Sequence, residues 1–206
     1  MKVIIRFKKR GMRRFLSALD AIKLLERCLR RASVPLVFTE GYHPKPKMSF
    51  LDAMPVGVIN LAFYVQLHVR EFGEDVFSRL REVAPYDFFP EKFWITEEEM
   101  NKIVGYYRFK IFVPFDPIGT LEEKVLEKKG RRFLFREVVE ELSVKKMKDY
   151  HLVSYVQRRD LLVNPLLLFD GEGLVLPICE EALTYDFVPL SAYLEEAERR
   201  EKDTAR

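Results

Sequence analysis

Ten consecutive residues, Gly41 to Phe50, gather two prolines, two lysines, a histidine, a serine and two aromatic rings (Tyr42 and Phe50). Lysine ammonium groups beside flat rings suit a base stacked on a ring while its phosphates meet the cations. Pro44 and Pro46 keep the stretch out of a helix interior or a central strand. Gly41, Tyr42, His43, Lys45, Lys47, Ser49 and Phe50 are therefore candidate RNA- or anion-binding residues. The bland alternative is that Tyr42 and Phe50 anchor a loop whose lysines sit in water. General acid–base work by His43 would need a partner in reach, and only Ser49, Ser17 and Tyr42 are obvious. Ligand contact is the better reading, and no residue is assigned as catalytic.

Other chemistry is scarce. There is no C-x3-C-x2-C cluster, no glycine-rich nucleotide loop, no G-x-S-x-G and no H-E-x-x-H. Asp170-Gly171-Glu172-Gly173 reads as a hairpin turn whose acids would repel phosphate. His68 falls on the outer face of a predicted strand, and His151 stands beside Tyr150 without an acidic or cysteine partner at useful spacing. Cys28 and Cys179 lie far apart, against a disulfide or zinc framework. No metal and no cofactor is expected.

Charge is unevenly spread. Residues 1–47 hold thirteen Lys or Arg against three acids, a local net of +10. The whole chain of 206 residues carries +3, so the remaining 159 residues carry −7. A half this basic attracts phosphate backbones. Arg27, Arg30 and Arg31 on one helix face, with Arg13 and Arg14 at its entrance, are expected to extend the cationic surface of the loop. No apolar run approaches a membrane span and no leader is evident, so a cytoplasmic protein without membrane contact is expected.

The elements that would position these residues follow from periodicity. Residues 2–8 alternate as a half-buried strand. Ser17 with Asp20 three residues on marks a helix start, and Leu19, Ile22, Leu25, Cys28, Leu29 and Ala32 form its apolar stripe. Leu36 to Thr39 reads as a short strand, followed by a long loop over 41–59. Residues 60–70 alternate, with Tyr64, Gln66, His68 and Arg70 outward. A short helix carries Val76, Phe77, Leu80 and Val83, and a strand covers 88–95. The order β-α-β-β-α-β predicts a ferredoxin-like domain over 1–97.

Beyond Thr96-Glu97-Glu98-Glu99 the pattern restarts. Tyr107 to Phe115 alternate as a strand. Thr120 with Glu123 reads as a capping box for a helix that Gly130 ends. Arg132 to Glu141 suits either helix or strand. A strand is expected over 161–169, a helix starting in 177–183, a strand over 185–188, and a charged helix or tail over 190–206. The fold class is α+β, with a second, degraded ferredoxin-like domain over 104–189.

Several stretches resemble one bacterial family: Arg14-Phe15-Leu16-Ser17-Ala18-Leu19-Asp20, then Glu26-Arg27-Cys28-Leu29-Arg30-Arg31-Ala32, then Gly41 to Phe50, then Pro55-Val56-Gly57-Val58. They are similar to the radical-SAM-linked protein family, whose pattern runs R-F-L-S-H-L-D, E-R-A-L-R-R-A, G-F-N-P-H-P-K-x-S-F and P-L-x-V-G. The match is dense over residues 3–70, and Lys146 to Asp149 echo a later element. Ala18 replaces a family histidine, and His43-Pro44-Lys45-Pro46 replaces Asn-Pro-His-Pro. The acid usual near the third strand is missing around Ala62 and Phe63. The shared residues are Arg14, Ser17, Asp20, Arg27, Arg31, Gly41, Pro44, Pro46, Lys47, Ser49 and Phe50, whose arginine, lysine and hydroxyl groups suit anion binding more than metal or acid–base chemistry.

The family is a domain of unknown function found fused to, or encoded beside, B12-type radical-SAM proteins. The resemblance implies an accessory role beside such an enzyme. Together with the charge, it yields the expectation of a non-catalytic RNA-binding or substrate-delivery protein, its RNA of tRNA or rRNA class unresolved. Two alternatives stand. One is a metal-independent RNA endonuclease of the tandem ferredoxin-like type. The other is a protein-docking module for a radical-SAM enzyme without RNA contact.

Overall fold

A computed structural model describes residues 1–128, 130–169 and 173–204. The chain is a mixed α+β protein built on one large mixed sheet. Strand β1 (Lys2–Lys9) leads through a 3-10 turn at Gly11–Phe15 into helix α1 (Ala18–Arg31). Then come β2 (Met48–Phe50), β3 (Ile59–His68), α2 (Glu74–Val83) and β4 (Phe88–Ile95). The second half holds α3 (Met100–Ile103), β5 (Val104–Val113), α4 (Ile118–Glu123) and the hairpin β6 (Val125–Lys128) with β7 (Arg131–Leu134). It closes with β8 (Val139–Lys146), β9 (His151–Arg158), β10 (Leu176–Thr184) and α5 (Leu190–Thr204).

The sheet runs β4-β1-β3-β10-β5-β9-β8, with β2 also paired to β3. In the first half β4-β1-β3-β2 are all antiparallel neighbours, and β10-β5-β9-β8 repeat that spatial order in the second. The halves meet where β3 and β10 run parallel, through Ile59 with Ile178 and Asn60 with Cys179 alone.

Local sequence explains the first half. The Ser17 hydroxyl accepts the Asp20 backbone N–H at 3.1 Å and starts α1 where the capping pattern places it. Ala21, Leu25, Cys28 and Leu29 form the buried stripe, and the last three pack with Val3, Ile5 and Phe7 of β1. Leu19 is not on that stripe. Two residues before Ala21, it sits about 200° around the helix and is 69% exposed.

Other expectations need correction. Leu36 and Phe38 form only isolated bridges, to Val69 and Pro46, and the second strand is Met48–Phe50, inside the expected loop. Tyr64 and Gln66 do not face water. They are buried, Tyr64 in a cluster with Ile4 and Trp94 that also holds Phe109, Tyr155, Leu190 and Leu194. Helix α5 and the second half cover the face that alternation assigned to solvent.

In the second half α4 begins after Pro117, not at Thr120, and Gly130 turns the β6–β7 hairpin with φ +74°. Residues 132–141 resolve into strand, a 3-10 turn at Phe135–Glu137, and strand again. The expected strand over 161–169 is a turn and a 3-10 segment, whereas β9 was not anticipated. Residues 177–183 are strand rather than helix, and 185–188 are a turn rather than a strand. The hairpin turn expected at 170–173 lies outside the described residues except for Gly173, as do 205 and 206 of the tail.

At the β3–β10 seam the Arg6 guanidinium crosses from β1. It donates to the Leu61 carbonyl at 2.8 Å and the Glu180 carbonyl at 3.0 Å, and pairs with Glu181 at 3.0 Å. Glu181 also accepts from the Tyr64 hydroxyl at 2.7 Å, the Ser191 hydroxyl at 3.0 Å and the Ala182 N–H at 3.0 Å. Removing one member of a buried pair strands the other's charge, at a cost of about 3–5 kcal/mol. Arg6→Met should lower the urea-unfolding free energy by that amount, and Arg6→Met with Glu181→Leu should recover much of the loss.

Candidate nucleic-acid interface

The expected site residues separate into three groups. The first is the turn over 39–47. Thr39 N–H donates to the Lys45 carbonyl at 2.8 Å, and Lys47 N–H to the Val37 carbonyl at 2.7 Å. Val37 N–H donates to the His68 carbonyl, and His68 N–H to the Lys47 carbonyl, both at 2.9 Å. The arms are thus tied to the end of β3 while the tip projects. Gly41 adopts φ +126° with nothing within 4 Å of an added Cβ, so glycine serves backbone conformation there rather than close packing. Tyr42 is 95% exposed, its ring edge-on to His43 at 4.9 Å. Lys45 and Lys47 are exposed, while Pro46 is buried beneath them.

Ser49 and Phe50 belong to β2 instead, paired opposite Gln66 and Val65. The Phe50 ring packs on Phe63 at 6.2 Å, against the cluster that includes Leu25 and Leu29. It anchors the turn to the core. The projecting ring is Tyr42.

The second group is the solvent face of α1, where Arg27, Arg30 and Arg31 are exposed. The third lies at the opposite end of that helix. Asp20 stands eleven residues before Arg31, about 16 Å along the axis. Ser17 is engaged in the cap, its hydroxyl donating to the Asp20 carboxylate at 2.7 Å. Arg14 lies over the Phe15 ring at 4.6 Å, with its Nε buried and unpartnered.

The structure sorts the thirteen N-terminal cations. Lys2, Arg6, Lys8, Arg13 and Lys23 form ion pairs. Lys9 is buried, donates to the Leu16 carbonyl at 3.2 Å, and has its pKa pushed down by that burial. Among the described residues Arg10, Arg14, Arg27, Arg30, Arg31, Lys45 and Lys47 take part in no ion pair.

Sequence reasoning missed a cleft in the second half. Asp52, Tyr106, Arg158, Arg159 and Tyr185 line a cavity of about 800 Å³. With Lys128, which also lines it, its residues come from five separate stretches, so no spacing could reveal it. The only local signal was the charged run Arg158-Arg159-Asp160.

These features define an α+β protein that carries a projecting cationic turn and, separately, a basic helix face. The chain belongs to the bacterial family described as "Uncharacterized protein conserved in bacteria (DUF2344)", whose model matches residues 2–164. The match stops short of β10, the strand that joins the two halves. No curated protein matches the chain. Among the described residues no helix is long and apolar enough to cross a membrane.

His68 reports on the turn. Its pKa is lowered first by burial and then by Lys47, Lys2 and the N-terminus. A depressed histidine makes the fold lose stability as pH falls through the window just below 6.5. Lys47→Ala should raise the His68 pKa toward its ordinary value in an NMR titration, and an unchanged midpoint would place the Lys47 ammonium elsewhere.

Proposed function

We propose that this protein is a non-catalytic RNA-binding or substrate-delivery partner of a radical-SAM enzyme, working in the cytoplasm. One observation carries the reading: among the described residues seven cations of the basic half are left without carboxylate partners, on the turn, on the solvent face of α1 and at the 3-10 turn. Unpaired cations can release the counterions of a phosphate backbone, whereas paired ones are already neutralised. Tyr42 offers a ring on which a base can stack, with His43 at its edge.

The pairing with a radical-SAM enzyme is supported by the motifs at 14–20, 26–32 and 41–50. We further read residues 1–97 and 104–189 as two ferredoxin-like domains, the second degraded. The recurring strand order supports this, with a 3-10 turn standing where the second domain would carry its second helix.

RNA affinity should fall steeply with salt, and Lys45→Ala with Lys47→Ala should lower the slope of log K against log salt by about two. Anisotropy with labelled total RNA measures both. No binding at low salt would sink the proposal. Incubation with structured RNA in EDTA should leave it intact, and cleavage lost in His43→Ala would move the protein to the endonuclease class.

A further inference from the structure

The cleft of the second half has a rigid wall and an open aromatic face. Asp52, just beyond β2, accepts from the Tyr107 hydroxyl at 2.7 Å and from Arg159 Nε at 2.5 Å. The rest of the Arg159 guanidinium donates to the Asn101 carbonyl at 3.0 Å and its side-chain oxygen at 2.6 Å. Every charge in this wall is matched, so it is scaffold rather than ligand contact.

Tyr185 differs. It is 64% exposed, and its ring packs closely against the Gly105 backbone. A Cβ on Gly105 would stand 2.6 Å from Tyr185 Cδ1, so glycine is required for the ring to lie there. Beside it Tyr106 stacks on Phe187 at 4.3 Å. Arg158 reaches the same cleft, half exposed, paired with Asp160 at 2.9 Å. The pair is bidentate, with Arg158 Nε also donating to Asp160 at 3.1 Å, and both side chains are exposed; a phosphate offers the same two acceptor oxygens and can take the carboxylate's place on Arg158.

We propose that this cleft binds a nucleotide unit, its base stacked on the open face of Tyr185 and its phosphate paired with Arg158. The volume of about 800 Å³ is within the range of small-ligand sites. The site is separate from the 39–47 turn and does not depend on that turn binding RNA.

AMP and UMP titrated into the labelled chain should shift the Tyr185 ring signals saturably. Tyr185→Ala should weaken binding about tenfold, as loss of one stacked base does, and Tyr185→Phe should retain it. Gly105→Ala should reproduce the loss by expelling the ring, with circular dichroism confirming an intact fold. Arg158→Ala should weaken binding and flatten its salt dependence. A short oligoribonucleotide binding more tightly than AMP identifies a strand as the source, and equal affinity a free nucleotide; either supports the site. Inorganic phosphate binding as well as AMP, or no shift at millimolar nucleotide, overturns it. Loss of AMP binding in Lys45→Ala with Lys47→Ala overturns the separateness of the site. AMP binding that persists while RNA binding is absent leaves the cleft standing and the RNA-binding reading refuted.

Discussion

The Arg6 guanidinium holds together a sheet that backbone pairing alone barely joins. Two residue pairs of parallel ladder connect β3 to β10, and beyond them the strand edges carry carbonyls in need of donors. Arg6 supplies those donors to Leu61 and Glu180 and places its charge against Glu181. A buried carboxylate is tolerable only when its lone pairs are met. Tyr64, Ser191 and the Ala182 amide meet them. Burial followed by the neighbouring Glu181 charge holds the Tyr64 hydroxyl protonated as a donor. This network ties β1, β3, β10 and the start of α5 together, and a second polar tie joins the halves after β2, where Asp52 meets Tyr107 and Arg159.

The same division of labour runs through the basic half. Cations on β1 are spent on structure: Arg6 on the seam, Lys8 on Glu91, Lys2 on the acids after β4. Those on the turn and the arginines on the outer face of α1 form no ion pair among the described residues. A net charge of +10 over a segment therefore overstates how much of it can meet a ligand, and placement decides which residues remain.

α5 shows how a charged helix becomes structural without being apolar. Its Leu190 and Leu194 join the cluster around Trp94. Glu198 accepts the Ile95 amide at 3.0 Å and Glu201 the Glu97 amide at 3.1 Å. These carboxylates occupy donors at the end of β4, an edge that would otherwise invite another strand.

Where a segment's own pattern and its cap agree, sequence was sufficient: the existence of strand β1, the Ser17–Asp20 cap, Leu25, Cys28, Leu29 and Ala32 of the α1 stripe, and the short helix α2. Pro44 and Pro46 announced in the same way that residues 42–46 lie outside helix and central strand, but not that Tyr42 projects while Phe50 anchors. Sequence failed where a distant partner changes a residue's value. Pro177 and the pair Glu180-Glu181 look like a helix start, since proline and acids favour the first turn. Arg6, 175 positions earlier, makes Glu181 a buried strand residue instead. Tyr64 looked outward because alternation cannot announce that a second layer will cover the other face. Local periodicity and capping determine which segments become elements, since those energies are set within a few residues. The seam, the second core and the Tyr185 cleft were decided by tertiary structure, because their partners are brought together only when the sheet closes.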